Sequence, residues 1–289
     1  MLRSSNPILS KKDAFTPAAP QYGQQPYGQG YVQQPYGQQG YQGYPQGGGP
    51  QGPWSNQPAP NQQVGQGRMT LDDVITKTAV TIGILIVAAA LAWNFVPDNL
   101  YFPAMILSAL VGFVVVMLVS FRRVVSPPLV IAYAAIEGVF IGMISKVFEA
   151  QYTGIVAQAV VATFFAAGVT LAAYKFFNIR VTAKFTKIVV ISTIAFAGLM
   201  LVNFIFSLVT GSGGLRGGIV GPVSPLALLI SAIAIVLAVL NLILDFDYVE
   251  RGVEMGAPAN ESWRAAFGLT VTMVWLYIEL LRLISYIRR

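Results

Sequence analysis

Four carboxylates lie within or at the edge of long apolar segments of this chain: Glu137, Asp245, Asp247 and Glu279. An ionised carboxylate at the centre of a membrane helix costs about 2.5–3.5 kcal/mol by insertion scales, and less near the membrane surface. Ionisable residues that a membrane segment keeps at this cost usually mark a path for protons or ions. We therefore take these four side chains as the candidates for the chemistry of the protein.

Asp245 and Asp247 stand close together in the stretch NLILDFDYVE, which directly follows an apolar run. On a helix their side chains point about 200° apart, so one can face a bundle interior while the other faces the membrane surface. Asp245 is the deeper of the two and is the inward candidate. Asp247 begins a polar run, and a helix-end carboxylate in water is the simpler interpretation for it, with a place in an ion pathway as the alternative.

Glu279 and Glu137 each have a structural interpretation as well as a functional one. Glu279 stands deep in the last apolar segment, in WLYIELLRLI, and Arg282 one turn later is near enough for a local ion pair. Glu137 either pairs with a backbone group or lines a pathway. Gly138 and Gly142, one turn apart, favour close helix packing rather than chemistry.

The composition excludes most catalytic chemistry. Of the 289 residues 55% are hydrophobic and 10% are charged, the mean hydropathy is +0.63, and the chain has no cysteine and no histidine. This excludes disulfides, thiol catalysis, a Ser-His-Asp triad and an HExxH zinc site. An intramembrane aspartyl protease would need a GxGD pattern, which the sequence lacks. We expect no enzyme activity and no bound cofactor.

The net charge of +6 comes from basic residues at the ends of apolar segments, which suits membrane orientation better than nucleic-acid binding. With the N-terminus inside, the basic residues of the inner connections are Arg122, Arg123, Lys175, Arg180, Lys184, Lys187, Arg251 and Arg264, against only Lys146 and Arg216 outside. The positive-inside rule therefore predicts a cytoplasmic N-terminus. The final Arg288-Arg289 would then lie outside, which leaves open whether the last segment spans the membrane or re-enters it.

Two regions of unlike composition divide the chain. Residues 1–68 are rich in Gln, Gly, Tyr and Pro, with an irregular repeat around QQPYGQ. They lack an aliphatic face, so we predict a disordered cytoplasmic tail, which is either simply solvated or binds itself or a partner protein. Its opening, MLRSSNPILSKK, lacks the continuous apolar stretch of a cleaved signal peptide.

Residues 69–289 hold a series of apolar segments, each near the ~20 residues that cross ~30 Å of hydrocarbon as a helix. The segments cover about 74–96, 100–120, 128–148, 153–176, 187–209, 225–246 and 265–287. Long apolar runs without alternation exclude a barrel, because its strands alternate apolar and polar residues. We predict an all-α fold, a polytopic seven-helix transmembrane bundle, with the tail attached to it.

Three stretches, in the right order on the predicted helices, resemble the Bax inhibitor-1 family of membrane proteins: PPLVIAYAAIEGVFIG, LDFDYVE and WLYIELLRLI. Glu137 with its glycines matches the family's third helix, Asp245 its sixth, and Glu279 its seventh, where the family has Asp. Arg122 and Arg123 stand where bacterial relatives carry a basic cluster. The opening RSSNP and the glutamine-rich tail are similar to actinobacterial members.

The resemblance implies a bacterial plasma-membrane protein in which Asp245 and Glu279 meet as a pH-sensing pair. Two buried carboxylates in contact share one proton and titrate as a unit, and when both are ionised they suit Ca²⁺, which prefers carboxylate oxygens. Arg122 or Arg123 could hold one carboxylate ionised and latch a closed state. We hypothesise a pH-sensitive Ca²⁺ leak channel or stress-response protein. A non-conducting membrane scaffold and a proton-coupled solute transporter stay open as alternatives.

Overall fold

The computed structural model describes residues 67–122, 124–211, 213–217 and 223–288. In these ranges the long helices are α1 (Leu71–Phe95), α2 (Tyr101–Phe121), α3 (Pro127–Gln151), α4 (Ile155–Phe176), α5 (Ala183–Thr210), α6 (Pro225–Glu254) and α7 (Glu261–Ile287). All seven are long and apolar enough to cross a membrane, which confirms the predicted all-α bundle. The predicted disorder of the tail concerns residues that lie, up to residue 66, outside the described part of the chain.

Helix α6 is longer than its apolar run. The sequence places its end near residue 246, whereas the helix continues to Glu254. Its start is well defined, because the Ser224 hydroxyl accepts a hydrogen bond from the Ala227 amide at 3.1 Å and Pro225 occupies the first turn. Asp245 and Asp247 therefore both lie inside a continuous helix, with more than a turn of helix beyond them.

Helix α7 is the centre of the bundle. It packs against α1, α3, α4 and α6, and half of its most apolar window is buried in the protein, compared with 11% for α5. Side chains on α7 therefore meet the rest of the protein over about half of the helix surface, whereas α5 leaves most of its surface uncovered by the protein. A charged residue in the middle of α7 must find its partner inside the protein.

Helices α1 and α3 pack closely through two glycines of α3. A Cβ atom on Gly138 would overlap the carbonyl oxygen of Leu85 and lie 2.6 Å from the Cβ of Ala88. A Cβ on Gly142 would overlap the backbone of Ala89. The predicted role of both glycines in helix packing is confirmed, because no larger residue fits the space between the two backbones.

The chain enters and leaves the bundle at opposite ends. At the N-terminal end, the Met69 amide donates to the Ala257 carbonyl at 2.7 Å, in the connection between α6 and α7. At the opposite end, the Arg288 guanidinium donates to the Thr153 carbonyl at 3.0 Å, in the connection between α3 and α4. Because α7 begins at one of these ends and finishes at the other, it spans the bundle and does not re-enter.

The last residues of the predicted tail are part of the folded domain. The Ala259 amide donates to the Gly67 carbonyl at 2.8 Å, and Arg68 pairs with Pro258 in an isolated antiparallel bridge. Met69 follows with its side chain only 2% exposed, in a core cluster shared with α6 and α7. The described chain therefore joins the bundle at residue 67, slightly before the boundary that composition suggests.

Candidate functional site

Asp245 faces α7. Its Oδ2 atom accepts a hydrogen bond from the Thr272 hydroxyl at 2.7 Å. Gly268, one turn before Thr272, leaves room for the carboxylate, since a Cβ atom there would lie 3.3 Å from Oδ1. The inward direction that depth predicts for Asp245 is the one the structure has. A hydroxyl and a glycine on α7 thus build a place for this carboxyl group between the two helices.

A cavity of about 310 Å³ adjoins Asp245, between the ends of α2, α6 and α7. Its lining consists of Val119, Ser120, Asp245, Tyr248, Arg264, Ala265, Phe267 and Gly268. Ser120 is in the last turn of α2 and Arg264 in the first turn of α7, so the cavity lies between Asp245 and the N-terminal end of the bundle.

The rim of this cavity is charged. The Arg264 Nε atom lies 3.0 Å from Glu261 Oε2, and the Tyr248 hydroxyl donates to the same Glu261 oxygen at 2.7 Å. The Arg264 guanidinium also donates to the Arg122 carbonyl at 3.2 Å. The polar groups at the mouth are thus engaged with one another, and Asp245 is the carboxylate farther in.

Glu279 forms a buried ion pair with Arg216. The Glu279 Oε1 atom lies 2.8 Å from Arg216 Nη1, and Arg216 comes from a single 3₁₀ turn, Gly214–Arg216, in the connection between α5 and α6. Glu279 is 3% exposed and Arg216 is 7% exposed. The connection between two membrane helices thus inserts its one charged residue into the bundle.

The surroundings of the pair hold Arg216 in place. The Tyr286 hydroxyl donates to the Arg216 carbonyl at 2.9 Å, and the guanidinium carbon lies 5.5 Å from the centre of the Phe196 ring. The Arg216 Nε and Nη2 atoms and the Glu279 Oε2 atom are buried without a hydrogen-bond partner in the described part of the chain. The pair is therefore only partly satisfied.

The predicted contact between Asp245 and Glu279 is not formed. Asp245 is bonded at Thr272, and Glu279 stands two turns farther along α7, which is about 10 Å along the helix axis. Each carboxyl group has a partner that compensates it better than a second carboxylate would. The joint Ca²⁺ site expected at these residues is likewise not assembled, and the described residues contain no cluster of three or more acidic, His or Cys side chains that could hold a metal ion.

Glu137 lies at the depth of Asp245 but on another helix. Its Oε2 atom sits against α2, where a Cβ atom on Gly112 would come within 3.0 Å of it. One turn earlier, the Tyr133 ring contacts the Phe267 ring of α7 at 5.0 Å between centres. Glu137 lies one turn after Tyr133 on α3, and Thr272 lies a little more than one turn after Phe267 on α7. Because Thr272 bonds Asp245, Glu137 and Asp245 occupy the same layer of the bundle.

A family profile described as Bax inhibitor 1 like matches residues 6–289. The chain belongs to this family. None of the curated proteins compared with the chain matches it. The family match and the seven apolar helices make this a multi-pass membrane protein, in agreement with the resemblance that the motifs around Glu137, Asp245 and Glu279 indicate.

In this Bax inhibitor 1 like protein the arginines near the carboxylates are not those that the sequence suggested. Arg122 is exposed, and it takes part in no ion pair within the described ranges, while Arg123 lies outside them. Arg282, expected to pair locally with Glu279, is replaced in that role by Arg216. The one available signal for Arg216 was an isolated charge in the glycine-rich connection GSGGLRGG.

Asp247 belongs to a polar network at the end of the bundle where α1 begins. Its Oδ2 atom lies 2.9 Å from Arg251 Nε, and the Arg251 guanidinium also donates to the Val181 carbonyl at 2.6 Å. The Tyr174 hydroxyl bonds the neighbouring Glu250. Asp247 thus helps to tie α6 to the connection between α4 and α5, as an ion-paired side chain 15% exposed and not as the solvated helix-end carboxylate that the sequence suggested.

Proposed function

We propose that this protein is a pH-sensitive cation leak, with Ca²⁺ among the ions carried. Its pathway would enter at the cavity beside Asp245 and would be closed by the Arg216–Glu279 pair. The observation that supports the proposal most is the position of that pair: a buried arginine neutralises the deeper carboxylate on the central helix. A route along α7 would meet Asp245 and Glu137 first and Glu279 two turns later.

The carboxylates occupy two layers, which suits passage of a cation better than its retention. Ca²⁺ binds tightly where six to eight oxygens surround it. Here each layer offers one or two carboxylates, on different helices, and conduction requires binding that is favourable but weak enough for the ion to leave. Asp245 and Glu137 would attract the ion into the bundle, and Glu279 would receive it only after Arg216 had moved.

Proton binding supplies a reason for pH sensitivity that does not require contact between the two carboxylates. Loss of the Glu279 charge would leave the Arg216 guanidinium without its counter-charge, and the turn Gly214–Arg216 would then be free to withdraw. Acidification would therefore favour the open state. This replaces the shared-proton pair by a carboxylate and an arginine latch, with Arg216 in the role first assigned to Arg122 or Arg123.

In this proposal the distribution of basic residues sets the orientation of the protein in the membrane. With the basic connections inside, as the positive-inside rule requires, the N-terminus is cytoplasmic and the Asp245 cavity faces the cytoplasm of a bacterial cell. The Arg216–Glu279 pair then lies on the side of the outer leaflet. The glutamine-rich tail would remain in the cytoplasm, available for self-association or for a partner protein.

Ca²⁺ flux into liposomes containing the purified full-length protein and an internal Ca²⁺ dye tests the proposal. We expect flux that rises on acidification, and Arg216→Gln should give high flux already at neutral pH because Glu279 has lost its cation. Asp247→Asn is the matched control, since its ion pair lies outside the proposed pathway, and it should behave as the native protein does. Absence of flux from every variant would favour a non-conducting scaffold, and proton-driven solute uptake without cation leak would favour a transporter.

A further inference from the structure

A second cavity, unrelated to the carboxylates, lies between α1 and α4. Its volume is about 430 Å³, within the range of about 300–1,000 Å³ that holds a ligand-sized molecule. The two helices do not pack on each other in the described part of the chain, and α3 and α7 form the floor of the gap between them. We name this cavity the α1–α4 groove, with Ile86 and Trp93 on one wall, Val160 and Phe164 on the other, and Met273 and Val274 in the floor.

The groove is lined by apolar side chains, and its few polar ones already have partners. The Ser145 and Tyr277 hydroxyls bond each other at 2.7 Å. Thr163 and Thr270 donate to carbonyls of the preceding turn of their own helices, each at 2.7 Å, and the Asn94 amide does the same at 2.8 Å. The groove therefore presents little hydrogen-bonding capacity to an occupant, which argues against a polar solute and for a hydrocarbon chain.

The length and depth of the groove correspond to one leaflet of a bilayer. On α1 its lining runs from Ile82 to Asn94, about 18 Å of helix, compared with ~15 Å for half of the ~30 Å hydrocarbon layer. It extends from the middle of the bundle toward the end where α1 finishes. Trp93 and Asn94 stand at that end, and tryptophan is typical of the membrane–water interface, where a lipid headgroup lies.

The edges of the groove open sideways into the bilayer. Ile86 on α1 and Phe164 on α4 are about half exposed, so the medium at the opening is lipid and not water. We propose that the α1–α4 groove binds one acyl chain of a membrane phospholipid. The acyl chain would lie on α7, and the lipid headgroup would lie near Asn94. This site stands on its own geometry and does not depend on ion conduction.

Labelling by a photoactivatable phospholipid tests the site. The full-length protein is reconstituted in vesicles of phosphatidylethanolamine and phosphatidylglycerol that contain a phosphatidylcholine with a diazirine on one acyl chain, and labelled residues are mapped by mass spectrometry. We expect labels on Met273 and Val274, which line the floor of the groove. Labels on the lipid-facing residues of α5, such as Ile194, report ordinary contact with the bilayer. Labelling of α5 without labelling of the floor would overturn the proposal.

Two matched variants separate binding in the groove from contact with the surface. Ala90→Phe puts a ring into the groove and should lower labelling of Met273 and Val274 several-fold while leaving α5 unchanged. Ala197→Phe makes the same change at an exposed position of α5 and should leave the floor labelled. Equal floor labelling in the two variants would contradict the proposal. If Ala90→Phe does not fold, Val160→Phe on the opposite wall makes the same test, and floor labelling equal to that of Ala197→Phe would contradict the proposal.

Discussion

Arg216 and Glu279 lie 63 positions apart in the sequence, yet their charged groups meet at 2.8 Å, with side chains no more than 8% exposed. Arg216 belongs to the connection between α5 and α6, and a connection between two membrane helices is expected to lie outside the bundle. Its insertion supplies the central helix with the cation that a buried carboxylate needs. Most of the behaviour expected of this protein follows from that contact.

Loss of either partner of the pair should be strongly destabilising. Arg216→Gln or Glu279→Gln leaves one buried charge without its counter-charge, a change that costs about 3–5 kcal/mol in other proteins. The double variant Arg216→Met/Glu279→Met removes both charges, and it should be more stable than either single glutamine variant. Unfolding by denaturant in detergent micelles measures all three. A loss in the double variant equal to the sum of the two single losses would mean that the two side chains do not act as a unit.

Asp245 and Glu279 should act independently on ion flux. Thr272, which bonds Asp245, and Glu279 are about 10 Å apart along α7, and substitutions at this separation usually combine additively. Asp245→Asn should lower Ca²⁺ flux at every pH because it removes the charge that attracts the cation. Glu279→Gln should abolish the pH response because no proton is left to release Arg216. In the double variant both effects should appear in full. A double variant that behaves like one of the two single variants would instead support the hypothesis that Asp245 and Glu279 share a proton.

The close packing of α1 on α3 should not tolerate a methyl group. Gly142→Ala forces its Cβ into the backbone at Ala89, and overpacking of this kind typically costs about 1–3 kcal/mol. Gly168→Ala is the control, since a Cβ there meets nothing within 4 Å, and alanine in a helix interior is favoured by about 0.5–1 kcal/mol. Thermal unfolding of both variants gives the comparison. A Gly142→Ala protein as stable as Gly168→Ala would show that the helices separate easily.

Residues 1–66 should be dispensable for folding, whereas Met69 should not be. A protein beginning at Gly67 keeps the bonds to Ala259 and Ala257 and should retain its helical circular dichroism and unfolding temperature. Met69→Ala empties a buried position beneath Gly252, and such changes cost about 2–5 kcal/mol. Leu71→Ala, at a residue 54% exposed, is the neighbouring control and should cost little. Aggregation of the truncated protein would contradict the first part.

The orientation can be measured directly because the chain has no cysteine. In intact bacterial cells, an impermeant maleimide should label Asn99→Cys, in the connection between α1 and α2. It should leave Ser55→Cys, in the tail, unlabelled until the membrane is permeabilised. The reverse pattern would invert the proposed topology and would place the Asp245 cavity outside.

The number and type of the membrane helices were determined by the sequence alone. In hydrocarbon every backbone group must be bonded within its own segment, so each apolar run of sufficient length becomes a helix whatever its neighbours are. Gly138 and Gly142 were also interpreted correctly, because small residues one turn apart have a direct steric meaning. The end of α6 was predicted wrongly, because the helix continues to Glu254, beyond the apolar residues from which its end was judged.

The partners of the buried carboxylates were decided only by the tertiary structure. Spacing along one helix offered Arg282 to Glu279, and family resemblance offered Asp245, but the contact belongs to Arg216. Which arginine reaches a carboxylate depends on how a glycine-rich connection folds back into the bundle. Which layer Asp245 occupies depends on how far α6 is displaced along α7. Both are distances between segments remote in the chain, and hydropathy and local spacing carry no information about them.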